Sequence, residues 1–318
     1  MSSKLAPSKS GALSMMNFED FLKLHPSYNA AAQKLSENSL LLALSAQLVY
    51  EIQREALGPV ADEILGFAEQ AYGPEYISKY ISRVNDLATL QEKFDANPSP
   101  ATLGDQGAVV DPDVYALSLL LSVVFTNHRF ELMRELLLFL RDVAQRNWAG
   151  TLLSIGFGTG YELKMACQIL TGWHIEAYDA DARMMAKARQ LLDFFSISKD
   201  IFFGGYFSLH QCSDDSRGHY DAIVLSEVLE HLADPATALA VLRDCMRDDG
   251  RMFATMAINI AQEDHVFLYP TIQSCREQIR DCGLVVTKER ISPQTIFPPP
   301  EDREDGFARG NYIAVLRK

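Results

Sequence analysis

The chain has 318 residues, 48% of them hydrophobic and 22% charged, with a formal net charge of -13 at pH 7. That is enough for two cores, or for one core with a large accessory lobe. The acidic balance, with no run of Lys and Arg, excludes a phosphate backbone as the expected partner.

Residues 1–16 are small, polar and lightly basic and read as a disordered tail. They lack the apolar core of a signal peptide. From Phe18 to about Asp95 the pattern is helical: Leu40, Leu41, Leu44, Leu48 and Ile52 recur at helix spacing, with Ser36 and Asn38 as caps. Pro74 can open another helix, which carries Tyr76, Ile77, Tyr80 and Ile81. Asn97 to Asp113 holds three prolines and two glycines and reads as a linker or ordered loop. A long apolar helical region runs from Val114 to Arg146, with a break expected at Thr126-Asn127-His128. Its apolar part, Val114 to Phe125, is too short to span a bilayer.

At Ala149-Gly150 the character changes and β-prone runs alternate with helical ones. Strands are expected at Leu152–Gly156, His174–Asp179, Ile201–Phe203, Ala222–Ser226, Arg251–Met256, Leu284–Glu289 and Tyr312–Leu316. Helical patterns separate the first five and precede the sixth, as parallel strands require. The last connection, Ile291 to Gly310, holds Pro298-Pro299-Pro300 and no helix signal, so the seventh strand is expected antiparallel. The fold expected is α/β: a doubly wound, Rossmann-like, seven-stranded sheet preceded by an all-α lobe. The division is a tail at 1–16, a helical lobe at 17–148 and the sheet domain at 149–318. The five cysteines form no C-x-x-C pair and read as reduced thiols of a cytoplasmic protein.

The chemistry centres on Thr151-Leu-Leu-Ser-Ile-Gly156-Phe-Gly158-Thr-Gly160. Glycines at alternate positions after an apolar strand let a nucleotide-like ligand approach the backbone. Alone, the motif also fits a tight turn with no ligand. Asp179 ends the next strand, 19 positions after Gly160, where a carboxylate can accept both ribose hydroxyls of an adenosine. After a further strand comes Tyr220-Asp221-Ala222-Ile223-Val224-Leu225-Ser226-Glu227-Val228-Leu229-Glu230-His231-Leu232.

With these three motifs in order, residues 149–318 resemble the class I S-adenosylmethionine (SAM)-dependent methyltransferases. The resemblance implies SAM as co-substrate, Gly156, Gly158 and Gly160 under its amino acid part, Asp179 on its ribose, and Ser226 and Glu227 beside the sulfonium. Two positions depart from the family. Ser154 stands where an acidic residue is common, and Phe203-Gly204-Gly205-Tyr206-Phe207-Ser208 replaces the aspartate that often binds adenine. Tyr206 or Phe207 can stack on adenine instead.

Glu227 and His231 are the candidate general bases. The plainer reading is that His231 packs the following helix and Glu230 is solvated. His231 with His265 could hold a metal, but no third or fourth ligand shows in the sequence, so no metal is expected. Tyr72, Tyr76 and Tyr80 share a helix face. Tyr76 is a candidate to face the sulfonium, against ordinary packing. Asn127, His128 and Arg129 either face the pocket, with Arg129 clamping a carboxylate, or mark a surfacing helix break.

The function expected is methyl transfer to a small molecule of specialised metabolism, with no nucleic acid or membrane partner; a homodimer is compatible. The helical lobe also resembles nicotianamine synthase, which leaves open a SAM cyclase or aminocarboxypropyl transferase forming methylthioadenosine. A non-catalytic SAM-binding protein is the third reading.

Overall fold

The computed structural model describes residues 30, 31, 33, 58–104, 110–205, 217–294 and 309–318. The expected tail, the helix carrying Leu40 to Ile52, and Tyr206 and Phe207 lie outside the described residues.

Among the described residues, four long helices precede the sheet, α1 (Gly58–Tyr72), α2 (Tyr76–Ala96), α3 (Pro112–Phe125) and α4 (Asn127–Arg146), with a single helical turn at Pro100–Leu103 between α2 and α3. The Asp111 side chain caps α3 by accepting from the Asp113 and Val114 amides, and Pro112 occupies the first turn, where no amide partner is needed. The expected break falls at Thr126, which is extended at φ −127°, ψ 132°. There α3 stops and α4 starts in a new direction.

The strands are β1 (Thr151–Ile155), β2 (His174–Tyr178), β3 (Phe202–Gly204), β4 (Tyr220–Leu225), β5 (Met246–Ile258), β6 (Val285–Pro293) and β7 (Gly310–Arg317). Between them lie α5 (Tyr161–Ile169), α6 (Ala182–Phe194), α7 (Pro235–Cys245) and α8 (Ile272–Asp281). The sheet order is β3-β2-β1-β4-β5-β7-β6. All neighbours pair in parallel except β7, which is antiparallel to both β5 and β6. This is the doubly wound, Rossmann-like arrangement the sequence predicts.

Two-residue periodicity builds two cores, one on each face of the sheet. Leu152, Ala222, Val224, Phe253 and Ile313 point to the side covered by α4, α5 and α6. Their chain neighbours Leu153, Ile223, Leu225, Ala254 and Tyr312 point to the side covered by α7 and α8. Helix α4 lies across β5, β6 and β7, with the Phe139 and Phe253 rings 5.6 Å apart. Glu135 and Glu131 bind Lys288 and Arg290 of the edge strand at 2.6 and 2.7 Å.

Helix α2 reaches the loop that follows β5. Arg83, almost fully buried, makes a two-pronged ion pair with Glu263, with Nη2 at 2.6 Å from Oε2. The Gln91 side chain accepts from the Ala261 amide at 3.0 Å and donates to the Asn259 carbonyl at 3.2 Å. These contacts fix the 260–265 loop against the helices.

Cys167, Cys275 and Cys282 are buried free thiols. Among the described residues no helix is long and apolar enough to cross a membrane.

Candidate active site

A cavity of about 780 Å³ opens where α2, α3 and α4 face the C-terminal tips of β1, β2, β4 and β5. In an open α/β sheet this is the crevice where the strand order reverses, here between β1 and β4.

The glycine turn forms its floor. Gly156, Gly158 and Gly160 have φ of +67°, +52° and +82°, which side chains adopt only under strain. A Cβ on Gly156 would lie 2.5 Å from Val228 Cγ2, and one on Gly160 would lie 2.6 Å from Ala188 Cβ. At Gly158 the nearest atom would be Leu119 Cδ1, at 3.5 Å. Gly156 and Gly158 line the cavity, whereas Gly160 faces away and lets α5 pack on α6.

Asp179 sits at the tip of β2 and lines the cavity. Its Oδ2 accepts the Gly158 amide at 3.1 Å, and its Oδ1 accepts the Asp181 amide at 2.9 Å. Burial pushes its pKa up, and these two amides pull it partly back. A carboxylate has about four acceptor positions, so two remain for a ligand.

Glu162, in the first turn of α5, also lines the cavity and was not singled out in the sequence. Burial pushes its carboxyl up to about 7, against the pull of Ser226 and Arg129, with Glu227 adding to the rise. The sign follows. A carboxyl whose folded pKa lies above its unfolded value stabilises the fold at low pH, and loses that stability as pH rises from about 4.5 through about 7. Glu162→Gln is expected to remove a pH-dependent loss on the order of 2 to 3 kcal/mol between pH 4.5 and 8. Urea unfolding midpoints of both proteins at the two pH values check this; parallel pH slopes would refute it.

Glu227 follows the tip of β4 at φ +56°. Its amide donates to Thr255 Oγ1 at 2.8 Å, and that hydroxyl donates to Glu227 Oε1 at 2.8 Å. Asn311 Nδ2 donates to the same oxygen. Arg129 Nη1 is 3.2 Å from Oε2. Both carboxylate oxygens are thus engaged. Arg129 keeps a buried Nε with no partner and lines the cavity, as does the neutral His128, whose pKa burial lowers to about 3, helped by the Arg129 charge.

The cavity wall also carries His231, Asp264, His265 and Tyr115. His231 Nδ1 lies 3.1 Å from the Asp264 carbonyl and 3.4 Å from its carboxylate. Tyr115 donates to Asp264 Oδ2 at 3.0 Å and Gln262 donates to Oδ1 at 3.0 Å. Burial raises the Asp264 pKa, but the two imidazoles and these donors outweigh it and leave the group below its ordinary value. His265 is held neutral, its pKa lowered to about 3 by burial and then by His231. Glu230, expected to be solvated, is fully buried.

The remaining predicted residues lie elsewhere. Ser226 is buried and lines the cavity. Tyr76 is packed in the core, and α2 presents Tyr80 to the cavity instead. Asn127 donates to the Pro293 carbonyl at 2.9 Å, tying α4 to the end of β6.

Residues 125–280 match the family described as Methyltransferase domain. This segment belongs to the class I SAM-dependent methyltransferase superfamily. SAM is its cofactor or co-substrate. No curated protein matches the sequence. Among solved structures, the chain is similar to 1,6-didemethyltoxoflavin-N1-methyltransferase of Burkholderia thailandensis, a complex with 1,6-didemethyltoxoflavin and S-adenosylhomocysteine. That match has 16% identity and a TM-score of 0.44, over 66% of this chain and 92% of that one. It is also similar to a TehB-like SAM-dependent methyltransferase of Corynebacterium glutamicum, at 18% identity and TM-score 0.40, over 57% and 87% of the two chains. The [4+2]-cyclase SpnF matches at 14% identity and TM-score 0.44, over 57% and 81%.

Proposed function

We propose that this chain transfers the methyl group of SAM to a small molecule of specialised metabolism. The observation that carries the reading is the cavity itself. Strand tips supply a glycine floor and an aspartate, and helices close the other side, so a small acceptor can be enclosed with SAM away from water. The acceptor lone pair attacks the methyl carbon in line, the carbon–sulfur bond breaks, and its electrons return to sulfur as S-adenosylhomocysteine leaves. Positioning supplies most of the acceleration.

In this reading Asp179 accepts the ribose hydroxyls with its two remaining acceptor positions. Gly156 and Gly158 pass under the methionine arm, and Gly160 shapes the turn. Arg129, with its spare Nε donor, takes the carboxylate of that arm, and Glu162 faces its ammonium group. Ser226 lies beside the sulfonium. Tyr206 and Phe207 are assigned to the adenine side on sequence alone. Glu227, the first candidate base, has both oxygens occupied and serves to hold Arg129. The acceptor and its proton therefore fall to the cavity wall that carries His231. Tyr76 and Asn127 support the walls. The division between cap and sheet domain is best placed at Thr126 rather than at 148/149, because α4 covers the sheet.

Product analysis tests the reading. With SAM and a panel of acceptors, S-adenosylhomocysteine should form only when an acceptor is present. Methylthioadenosine from SAM alone would overturn methyl transfer in favour of cyclisation or aminocarboxypropyl transfer. Tight SAM binding without any product would leave a sensor. Asp179→Ala is expected to weaken SAM binding by about 1.5 to 3 kcal/mol, the range for hydrogen bonds to a charged group. Isothermal titration that finds unchanged affinity would remove Asp179 from the ribose.

A further inference from the structure

The 3-10 turn Leu229–His231 and the loop after β5 bring the adjacent Glu230 and His231 against His265, which lies 34 positions beyond His231 in the sequence. Glu230, His231 and His265 each offer one ligand atom, and these atoms lie within 4.8 Å of one another. Metal-bound donors sit about 2.0 to 2.2 Å from the ion, so they lie roughly 3 to 4 Å from one another, and a small contraction closes the set.

The protonation pattern suits an ion. His265 Nδ1 is 2.9 Å from the Ile260 carbonyl, and His231 Nδ1 is 3.1 Å from the Asp264 carbonyl. A carbonyl can only accept, so both Nδ1 atoms donate to these carbonyls, and in the neutral ring the lone pair is then on Nε2. Histidine ligands of metals are oriented in this way, by a carbonyl or carboxylate on the other ring nitrogen. The imidazoles are in edge contact, with ring centroids 4.8 Å apart.

Glu230 provides the independent observation. Its side chain is fully buried, and neither carboxylate oxygen has a hydrogen-bond partner. Its backbone carbonyl is already satisfied by the Val266 and Phe267 amides, at 2.9 and 3.0 Å, which locks the turn beneath the loop. Ionising a buried carboxyl with no donor is costly, and a cation at this position removes that cost.

We propose that Glu230, His231 and His265 form a site for a divalent transition-metal ion in the wall of the cavity. Two imidazoles and one carboxylate favour an ion such as Zn²⁺, Fe²⁺ or Co²⁺ over Mg²⁺ or Ca²⁺, which prefer all-oxygen shells. His231 and His265 line the cavity while Glu230 lies behind them, so the ion's remaining positions face the cavity and take water or an oxygen of the acceptor. Asp264, bound by Tyr115 and Gln262, stands next to His231 as its orienting partner. The site is independent of which group SAM donates.

The test uses the full-length protein, stripped with a chelator and titrated with Co²⁺ as a spectroscopic probe and with Zn²⁺ by calorimetry. One equivalent should bind and give a visible ligand-field spectrum. Glu230→Gln and His231→Ala should each lower affinity at least about 100-fold and change that spectrum, more than the 10- to 100-fold effect of losing an outer-shell partner. Glu230→Gln keeps the side-chain shape, and its melting curve and SAM affinity report that the fold is intact. Absence of a saturable equivalent overturns the site, as does equal metal affinity in the parent and both variants. SAM affinity, measured in parallel, separates this outcome from a failure of the SAM assignments.

Discussion

Gly156→Ala is expected to cost roughly 2 to 5 kcal/mol of stability and to abolish measurable SAM binding. Two effects add. The residue holds φ +67°, and a non-glycine residue in the left-handed region costs about 1 to 2 kcal/mol. The new methyl would then lie 2.5 Å from Val228 Cγ2, and overpacking of a filled site costs about 1 to 3 kcal/mol more. Val228 cannot yield easily, because it joins Glu227, itself held by Thr255 and Asn311, to the 3-10 turn. Gly158→Ala is the control. It has the same sign of φ, but its methyl would meet only Leu119 Cδ1 at 3.5 Å, so only the backbone cost should appear. Chemical denaturation and SAM calorimetry on both variants check the contrast. Equal stability losses would show that the Val228 contact is not what demands glycine at 156.

The same turn shows why parts of this protein are legible in its sequence. A backbone that must take positive φ three times needs glycine at those positions whatever the surroundings, so Gly156, Gly158 and Gly160 mark the turn locally. Asp179 is legible for a similar reason, as the last polar residue of an apolar strand. The parallel run of strands and the antiparallel last strand follow from the helices between the earlier strands and from the missing helix before β7. Strand ends are less clear. β5 begins at Met246 rather than near Arg251, because Asp248, Asp249 and Gly250 hide its polar start.

Residues that act across the fold leave no local mark. Glu162 looks like an ordinary acidic residue in a helix's first turn until Arg129 and Ser226 are seen around it. Glu230 looks solvated because nothing in its own segment shows that Val266 and Phe267 close over it. Tyr76 and Tyr80 share one helix face, and only the assembled fold shows that Tyr80 is the one that lines the cavity.

The pair Arg129–Glu227 should give the second large effect, and a double-mutant cycle isolates it. The side chains are 12% and 19% exposed, so each depends on the other for compensation. Glu227→Ala leaves the Arg129 guanidinium with no carboxylate bonded to it and frees Thr255 and Asn311. The expected cost is roughly 2 to 4 kcal/mol, below the upper range for a fully buried pair because both side chains keep some exposure. Arg129→Met leaves the carboxylate with its two neutral donors, so it should cost less in stability. It should cost more in SAM affinity, about 2 kcal/mol, if Arg129 holds the methionine carboxylate. Combining both changes should cost less than the sum, with a coupling of about 1 to 3 kcal/mol. Additive stability losses would mean that the ion pair contributes nothing beyond its separate parts. Unchanged SAM affinity in Arg129→Met would move the carboxylate contact to another residue. Together the two readouts separate Arg129 as a strut for the β4 tip from Arg129 as a ligand contact, because stability depends on Glu227 and affinity on the donor that Glu227 leaves free.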